Sequence, residues 1–599
     1  MRRPRNDWTR ARNRYSDTLL SAPPRRRRDP GLAVLAIALV VLLGLLFSHG
    51  ERITSDGVDH YVYLRSLAVD HDLDLANDYE LVSPRRGSVE PLTRLGRTGN
   101  VHPIGPAILW APFYAVADLV TRLRGQPSDG WNPLYRDAVA VGSLLYGWAG
   151  LVLVYLAARP EGRGPALLAS LGLAFGTFLY WYLAFAPTMA HATGFAAAAL
   201  FVWLWLRPGP HGVRRGLLLG GALGLAALNR WSSVLLVLLP AIEVFRHARQ
   251  PAEWRLLLRE GLAAAVAFLV VFSPQMIVWR RLYGSFLTVP QGTRFLTGNA
   301  AWDGVLFSPH HGLFSWSPLL YLGAVGLVLF AVREPWRGLA AFAFLLALTR
   351  TNAGVGDWWG GSAFGGRRFE SALPLFGLGL ALAVGRGAEL SRRHPLVLPS
   401  LVVLVFVGFN LLVAAQYKSG AISYSDPVSF EEMGRAAVSA VHHVVGSPFS
   451  LPGALLAWLR TGRAPADYES LYMRRPHARW TLRMGEGDRL FLEDGWGPPR
   501  AEEGTAFRSI VRESAGLVAP LHQAAPYVVG VRWRSSAPLR GRVVVNGQVV
   551  GSCELLPGFQ DCTFDVPESH LVAGRNFVRL RVVGEGVVDV AGAWLEPAS

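Results

Sequence analysis

The chain has 599 residues, 51% of them hydrophobic, and a formal net charge of +16 at pH 7. That much apolar surface exceeds what one ordinary soluble core buries, so the composition excludes a simple globular protein and points to a polytopic membrane protein. The positive charge does not indicate a nucleic-acid partner. Its arginines sit in an N-terminal tail and in short loops between apolar runs, where cytoplasmic retention accounts for them.

Residues 1–30 form a basic tail containing Arg25, Arg26, Arg27 and Arg28, and the apolar run GLAVLAIALVVLLGLLF follows at 31–47. No small-residue cleavage pattern comes after it, so it reads as a retained first span with a cytoplasmic N-terminus. About a dozen apolar segments can be marked: 31–48, 104–121, 137–158, 165–185, 190–206, 216–229, 231–246, 260–280, 316–332, 338–350, 370–385 and 396–416. If every one spans, the Arg-rich loops fall outside. If 104–121 instead lies along or dips into the outer surface, Arg159, Arg163, Arg207, Arg214, Arg215, Arg246, Arg249, Arg255, Arg259, Arg333, Arg337, Arg386, Arg392 and Arg393 all become cytoplasmic. Pro103, Pro106 and Pro112 shorten any regular helix in that segment, and Trp110 and Tyr114 suit the headgroup level. The expectation is therefore about eleven transmembrane helices over 31–416, with the loops 49–103, 185–191, 283–315 and 351–369 on the outer face. Long ordered loops on a helical scaffold are where binding and chemistry belong.

Residues 417–479 read as a connecting region with some surface helix. From 480 to 599, short alternating runs such as YVVGVRW and NFVRLRVV predict an extracytoplasmic antiparallel β-sandwich, with Asn546-Gly547 marking a hairpin. The two cysteines, Cys553 and Cys562, flank Pro557-Gly558. Counting outward from that turn places them opposite each other on adjacent strands, within disulfide reach; the alternative is two unpaired core thiols. A disulfide requires an oxidising compartment.

The stretch SDGVDHYVYLRSLAVDHDLDLANDY, 55–79, places carboxylates directly beyond the first span. Asp56 and Asp59 share a helix face at i, i+3 spacing, which suits a base acting at the bilayer surface. The same spacing suits an N-cap, with Asp56 capping a helix that starts at Gly57 and Asp59 as its partner acid. Asp70, Asp72 and Asp74 alternate, a pattern that holds Mg²⁺, Mn²⁺ or Ca²⁺ or else forms a solvated acidic turn; the glycine and terminal glutamate of an EF-hand loop are missing. No cofactor is required, and a divalent metal is possible.

Together with the later loops GTRFLTGNAAWDGVLFSPHHGLFSWSP and GDWWGGSAFGGRRFESALP, an acid just after the first span and a long first external loop resemble the GT-C membrane glycosyltransferases. The nearest group is the bacterial protein-mannosyltransferase and aminoarabinose-transferase-like set, glycosyltransferase family 39. The resemblance covers about residues 30–415 and implies transfer, on the extracytoplasmic side of the cell membrane, of a sugar from a polyprenyl-phosphate donor to a glycan, lipid or protein acceptor. It implies that Asp56 is the base toward the acceptor hydroxyl. The family pattern is an adjacent Asp-Glu pair, whereas here Gly57 follows Asp56 and the next acid is Asp59. Arginine pairs with phosphate bidentately, which nominates Arg367 and Arg368, then Arg294, for the donor phosphate; the Arg367-Arg368 pair also suits a headgroup anchor. Arg230 is either functional or snorkelling, and His102, His191, His310 and His311 either position substrate or satisfy local bonds. Trp358 and Trp359 suit a sugar face and an interfacial belt alike. The sandwich resembles appended carbohydrate-binding modules. The reading is thus an inverting, lipid-phosphosugar-dependent glycosyltransferase; a lipid-linked sugar flippase and a non-catalytic glycan-binding envelope protein are the alternatives.

Overall fold

A computed structural model describes residues 29–48, 52–83, 92–247, 254–291, 301–390, 394–445, 452–456, 479–485, 488, 491–521, 524–572, 574–584 and 586–598. Arg25 to Arg28, Arg249, Arg294, Arg392 and Arg393 lie outside the described residues. The chain divides into two compact units, 1–411 and 412–599.

The first unit is helical. Among the described residues five helices are long and apolar enough to cross a membrane: Pro30–Phe47, Pro133–Glu161, Trp254–Tyr283, Arg367–Leu390 and Val397–Lys418, the last running into the second unit. Of the other apolar segments, some correspond to shorter apolar helices such as His191–Leu206 and Leu319–Arg333, and two to the 19-residue helices Gly105–Leu123 and Pro335–Ala353. Local chemistry sets the starts. Asp29 caps Pro30–Phe47 by accepting from the Gly31 amide at 3.0 Å, with Pro30 at the first helical position, and Asn132 does the same for Leu134 at 3.0 Å ahead of the 133–158 helix. Small residues set the packing. A Cβ on Gly326 would collide with the Gly379 carbonyl, and one on Gly220 with the Ala264 carbonyl, so these helix pairs meet backbone to backbone.

Three expectations for the spans need correction. The 165–185 segment is not one helix: Arg163–Gly176 ends at an extended Thr177 and a short helix, Leu179–Ala184, resumes. Other helices satisfy the exposed backbone there, since the Asn410 amide donates to the Phe175 and Thr177 carbonyls, both at 2.9 Å, and Ser317 accepts from the Phe178 amide at 3.0 Å. The 231–246 segment begins as a 3₁₀ helix, Trp231–Val237, before Leu238–His247. In the 104–121 segment, Pro112 does not shorten the helix, which runs Gly105–Leu123. Its Trp110 and Tyr114 are buried rather than at a headgroup surface, Trp110 donating to Ser143 Oγ at 2.6 Å.

Charged contacts define one end of this bundle. Asp29 meets Arg159, Glu161 meets Arg333, and four residues on Arg337 meets Glu243 at 2.7 Å; Arg215 and His211 meet Glu260 beside them. The basic residues shared between the short loops therefore gather on the side where Pro30–Phe47 starts. Its other end leads to Asp56.

The second unit begins with the end of the last span and the helix Phe430–Val445, opened by a capping box in which Ser429 and Glu432 exchange bonds of 2.8 and 3.2 Å. Among the described residues ten strands then form a β-sandwich: β1 Trp480–Arg483, β2 Trp496–Glu502, β3 Thr505–Ile510, β4 Ser514–Leu521, β5 Tyr527–Ser535, β6 Leu539–Val545, β7 Gln548–Leu555, β8 Gln560–Val566, β9 Gly574–Val583 and β10 Val588–Pro597. One antiparallel sheet has the order β2-β3-β10-β5-β8 with β1 also on β10, and the other β4-β9-β6-β7. Inward residues including Trp480, Tyr527, Trp533, Val543 and Leu580 form the core. The hairpin closes at Asn546-Gly547, both at positive φ. Cys553 and Cys562 are joined by a disulfide. Their strands are not a paired hairpin: β7 pairs with β6 and β8 with β5, so the turn at Pro557-Gly558 crosses from one sheet to the other and the bond links the sheets.

Candidate active site

The site is built where the chain leaves the first span. Arg52 ties that exit down, its Nε 2.6 Å from Asp137 and its NH1 donating to the Leu46 carbonyl at 2.6 Å. The helix Asp56–Arg65 follows. Asp56 is its first residue and not its cap: Ser55 occupies the cap position, makes no side-chain capping bond, and holds φ 50°, ψ −129°, a strained setting for a residue with a side chain. Asp56 is therefore spent on a distant partner. Its Oδ2 lies 2.9 Å from Arg367 NH1, across 311 residues of sequence, and Ser55 Oγ donates to Oδ1 at 3.1 Å.

Gly57 is explained by close approach. A Cβ there would run into the Oγ1 and carbonyl of Thr188, whose hydroxyl in turn donates to the Arg52 carbonyl at 2.9 Å. No side chain fits beside Asp56, so an adjacent Asp-Glu pair has no room in this backbone. Asp59, one turn on, points to other partners. It is buried, accepting from Tyr79 Oη at 2.8 Å and lying 3.3 Å from His102 Nε2.

Arg367 and Arg368 stand at the end of the Gly-rich loop and divide in function. Arg367 reaches Asp56 and donates through NH2 to the Gly360 carbonyl at 2.8 Å. Arg368 braces the loop, donating to the Asp357 carboxylate at 2.7 Å and carbonyl at 2.9 Å. The loop turns at Gly360 and Gly365, whose φ values of 84° and 62° suit glycine, and Phe364 pins it, stacked on Trp181 at 5.3 Å with its amide donating to Tyr182 Oη at 3.0 Å. A shallow cleft lies beside it, with Trp358, Trp359, His311, Asn352, Arg367 and Arg368 in its wall. His310 stacks on Trp359 with centroids 5.1 Å apart, and His311 Nδ1 lies 3.1 Å from the Trp359 carbonyl.

Two further groups adjoin. His191 is buried, its ring 4.3 Å from that of Tyr182, and its Nδ1 lies 3.5 Å from Glu370 Oε2. Arg230 reaches both, 3.3 Å from each, so it is an ion-pair member and not a snorkelling residue. Ala190, at φ 58°, sets the turn that presents His191. His60, also buried, has its Nδ1 2.9 Å from the Pro103 carbonyl and its ring 5.3 Å from that of His102.

Electrostatics separate these groups. Burial pushes the Asp56 carboxyl up, but the Arg367 guanidinium beside it prevails and holds it well below the usual carboxylate range. Burial, with His102 nearby, pulls His60 down to about 3, so it is neutral at pH 7. Burial likewise takes His311 down to about 4.

The alternating acids do not converge on a metal. Asp70 pairs with Arg65 at 2.8 Å, Asp72 accepts from Ser66 Oγ and the Asp74 amide at 2.9 and 3.0 Å, and Asp74 accepts from the Ala76 amide at 3.3 Å. They fold the turn after the Asp56 helix. Among the described residues no group of three or more His, Cys, Asp or Glu is arranged to hold a metal ion.

The structure thus brings Asp56 and Arg367 together, sets Arg368, Trp358 and Trp359 on the adjoining cleft, and places His191 with Arg230 beside them. Asp59 is buried and paired with the half-buried His102, which is also close enough to act on the charge of Asp56. The residues that sequence reasoning missed are Glu370, Asp357 and His60. Glu370 carried a signal: an acid at the head of an apolar span is costly unless it is paired.

No family model matches the chain, and no curated protein matches its sequence. Solved structures do. ArnT from Cupriavidus metallidurans in the apo state is 16% identical over 72% of this chain and 73% of that chain, with a TM-score of 0.42. Arabinosyltransferase EmbB from Mycobacterium smegmatis is 12% identical over 96% of this chain and 66% of that chain, with a TM-score of 0.40. At the C-terminal end, a GH26-CBM35 β-(1,4)-mannanase from Podospora anserina is 18% identical over 20% of this chain, which spans 28% of that enzyme, with a TM-score of 0.18.

Proposed function

We propose that the protein is a membrane glycosyltransferase that moves a sugar from a polyprenyl-phosphate-linked donor to a cell-envelope acceptor on the extracytoplasmic side, with inversion at the anomeric carbon. The observation that carries this reading is the pairing of Asp56 with Arg367 at the mouth of an aromatic cleft. A carboxylate and a guanidinium are the two groups the reaction needs. As the acceptor oxygen attacks C1, Asp56 takes its proton, a role that typically contributes about 10²- to 10⁴-fold. The bond from C1 to the phosphate oxygen breaks, its electron pair stays on that oxygen, and Arg367 meets the new negative charge. Trp358 and Trp359 would cover the apolar face of the sugar. The arginines gathered at the opposite end of the bundle support a cytoplasmic assignment for that end and an external one for the site.

Radiolabelled polyprenyl-phosphate sugars offered to the reconstituted protein and to Asp56→Asn provide the test. Transfer by the native chain and its loss in the variant are expected, and equal transfer by both would remove Asp56 from this role. A flippase reading has one observation in its favour, the break between Gly176 and Leu179, because transporters use interrupted helices. It predicts movement of label across the bilayer without a new glycosidic product.

A further inference from the structure

The Asp56–Arg367 contact joins the two groups that the proposed reaction needs apart. With 11% of its side chain exposed and 21% of its partner's, the pair sits at the cleft wall and not deep in the protein. With NH1 donating to Asp56 and NH2 to the Gly360 carbonyl, Arg367 does not present both terminal nitrogens as an open fork to a donor phosphate. Asp56 is in turn a weaker base while one of its oxygens is held by a guanidinium and the other by Ser55 Oγ. Arg368 is not a ready substitute, since both of its terminal nitrogens are engaged by Asp357 in the same loop.

We propose that this ion pair is a donor-operated latch: the phosphate of the lipid donor displaces Asp56 from Arg367, and the displacement is what makes Asp56 a competent base. The inference rests on the glycosyltransferase reading and concerns the order of events at that site. Phosphate is the stronger competitor because it offers more oxygens to the planar guanidinium than a singly bonded carboxylate does. Asp56 is placed to let go. It precedes Gly57, and the strained Ser55 lies directly before it, so a modest backbone change at Ser55 both relieves strain and swings the carboxylate away. Once freed, the carboxylate loses its strongest cationic partner and its basicity rises, which improves proton transfer from a hydroxyl. The consequence is protective. Water in the empty cleft meets a base that is switched off, and activation waits for the phosphate that marks a loaded donor.

The latch makes Asp56 a competitor of the ligand, and this sets an unusual expectation for binding. Decaprenyl phosphate serves as the probe, with decaprenol as the control that shares the tail and lacks the phosphate, each titrated against the full chain in nanodiscs. Asp56→Asn should bind decaprenyl phosphate about tenfold more tightly than the native protein, because one charge-assisted bond to Arg367 no longer has to be broken. Decaprenol should bind both alike, and Arg367→Gln should lose the phosphate preference. Equal or weaker binding of decaprenyl phosphate by a folded Asp56→Asn overturns the latch. Asp56→Ser takes its place if the asparagine variant does not fold. The transfer assay separates this inference from the function proposed above. Lost transfer with unchanged binding keeps the base and removes the latch, whereas tighter binding with intact transfer shows displacement of Asp56 by phosphate but removes the base, and with it the latch.

Discussion

Replacing Arg367 by glutamine tests the electrostatics of the site in one step. The guanidinium donates to Asp56 at 2.9 Å and to the Gly360 carbonyl at 2.8 Å. A hydrogen bond to a charged partner contributes about 1.5–3 kcal/mol, and the exposure of Asp56 argues for the low end, so a stability loss of about 1–2 kcal/mol is expected. The catalytic loss is larger. Removing one preorganised donor from a site of developing charge costs about 10²- to 10³-fold in kcat. The pH dependence is the sharper signature. In the native chain Arg367 outweighs burial and depresses the Asp56 carboxyl. A depressed acid contributes its stability above the unfolded pKa and loses it as pH falls through the folded one, and as a base it fails over the same low range. The acid limb of kcat/KM, which reports the free enzyme, should then lie below the usual carboxylate range and leave the rate flat around neutral pH. In Arg367→Gln burial loses its largest opponent, the carboxyl rises, and the limb moves up toward neutral pH. The assay is residual transfer from a labelled polyprenyl-phosphate sugar between pH 4.5 and 8, with Tm recorded at each pH. An acid limb that stays in place in the variant would refute the assignment of Asp56 as a base tuned by Arg367.

Burial keeps His60 neutral with a pKa of about 3, so the native state loses stability as pH falls from 6.5 toward 3, at about 1.4 kcal/mol per unit. A fall of about 2 kcal/mol at pH 5 follows, and Tm in detergent should drop between pH 7 and 5 by more in the native protein than in His60→Gln. Gly57→Ala drives a methyl into Thr188, at a cost of about 1–3 kcal/mol, and should abolish transfer by moving Asp56; a variant with native Tm and native transfer contradicts the packing described here. Cys553→Ser removes a link across nine residues of sequence, worth about 2.5 kcal/mol by loop entropy, which should appear as a lower unfolding temperature of the sandwich and not as lost transfer.

Much of the architecture was legible along the chain because it follows from periodicity and composition. Apolar runs of span length, the switch to alternation near residue 480 and the Asn546-Gly547 turn are local signals, and apart from the interrupted runs 165–185 and 231–246 they appear as helices, a strand set and a hairpin. Asp56 and the Arg367-Arg368 pair stood out for the same reason, as charges next to apolar segments. Partners are a different matter. Nothing local says that Asp56 reaches a residue 311 positions away while Asp59 turns to Tyr79, or that Arg368 is taken up by Asp357. Nor does local sequence show that the strands bearing Cys553 and Cys562 belong to different sheets, because a turn fixes a reversal of direction but not the sheet in which the chain continues. The break at Thr177 is hidden for the same reason: a helix stops where side chains from elsewhere, here Asn410 and Ser317, satisfy its backbone. Sequence by itself settles what each segment can bury and where charge must be paired. Only tertiary structure decides with whom, because pairing energy depends on distances that the packing of remote helices sets.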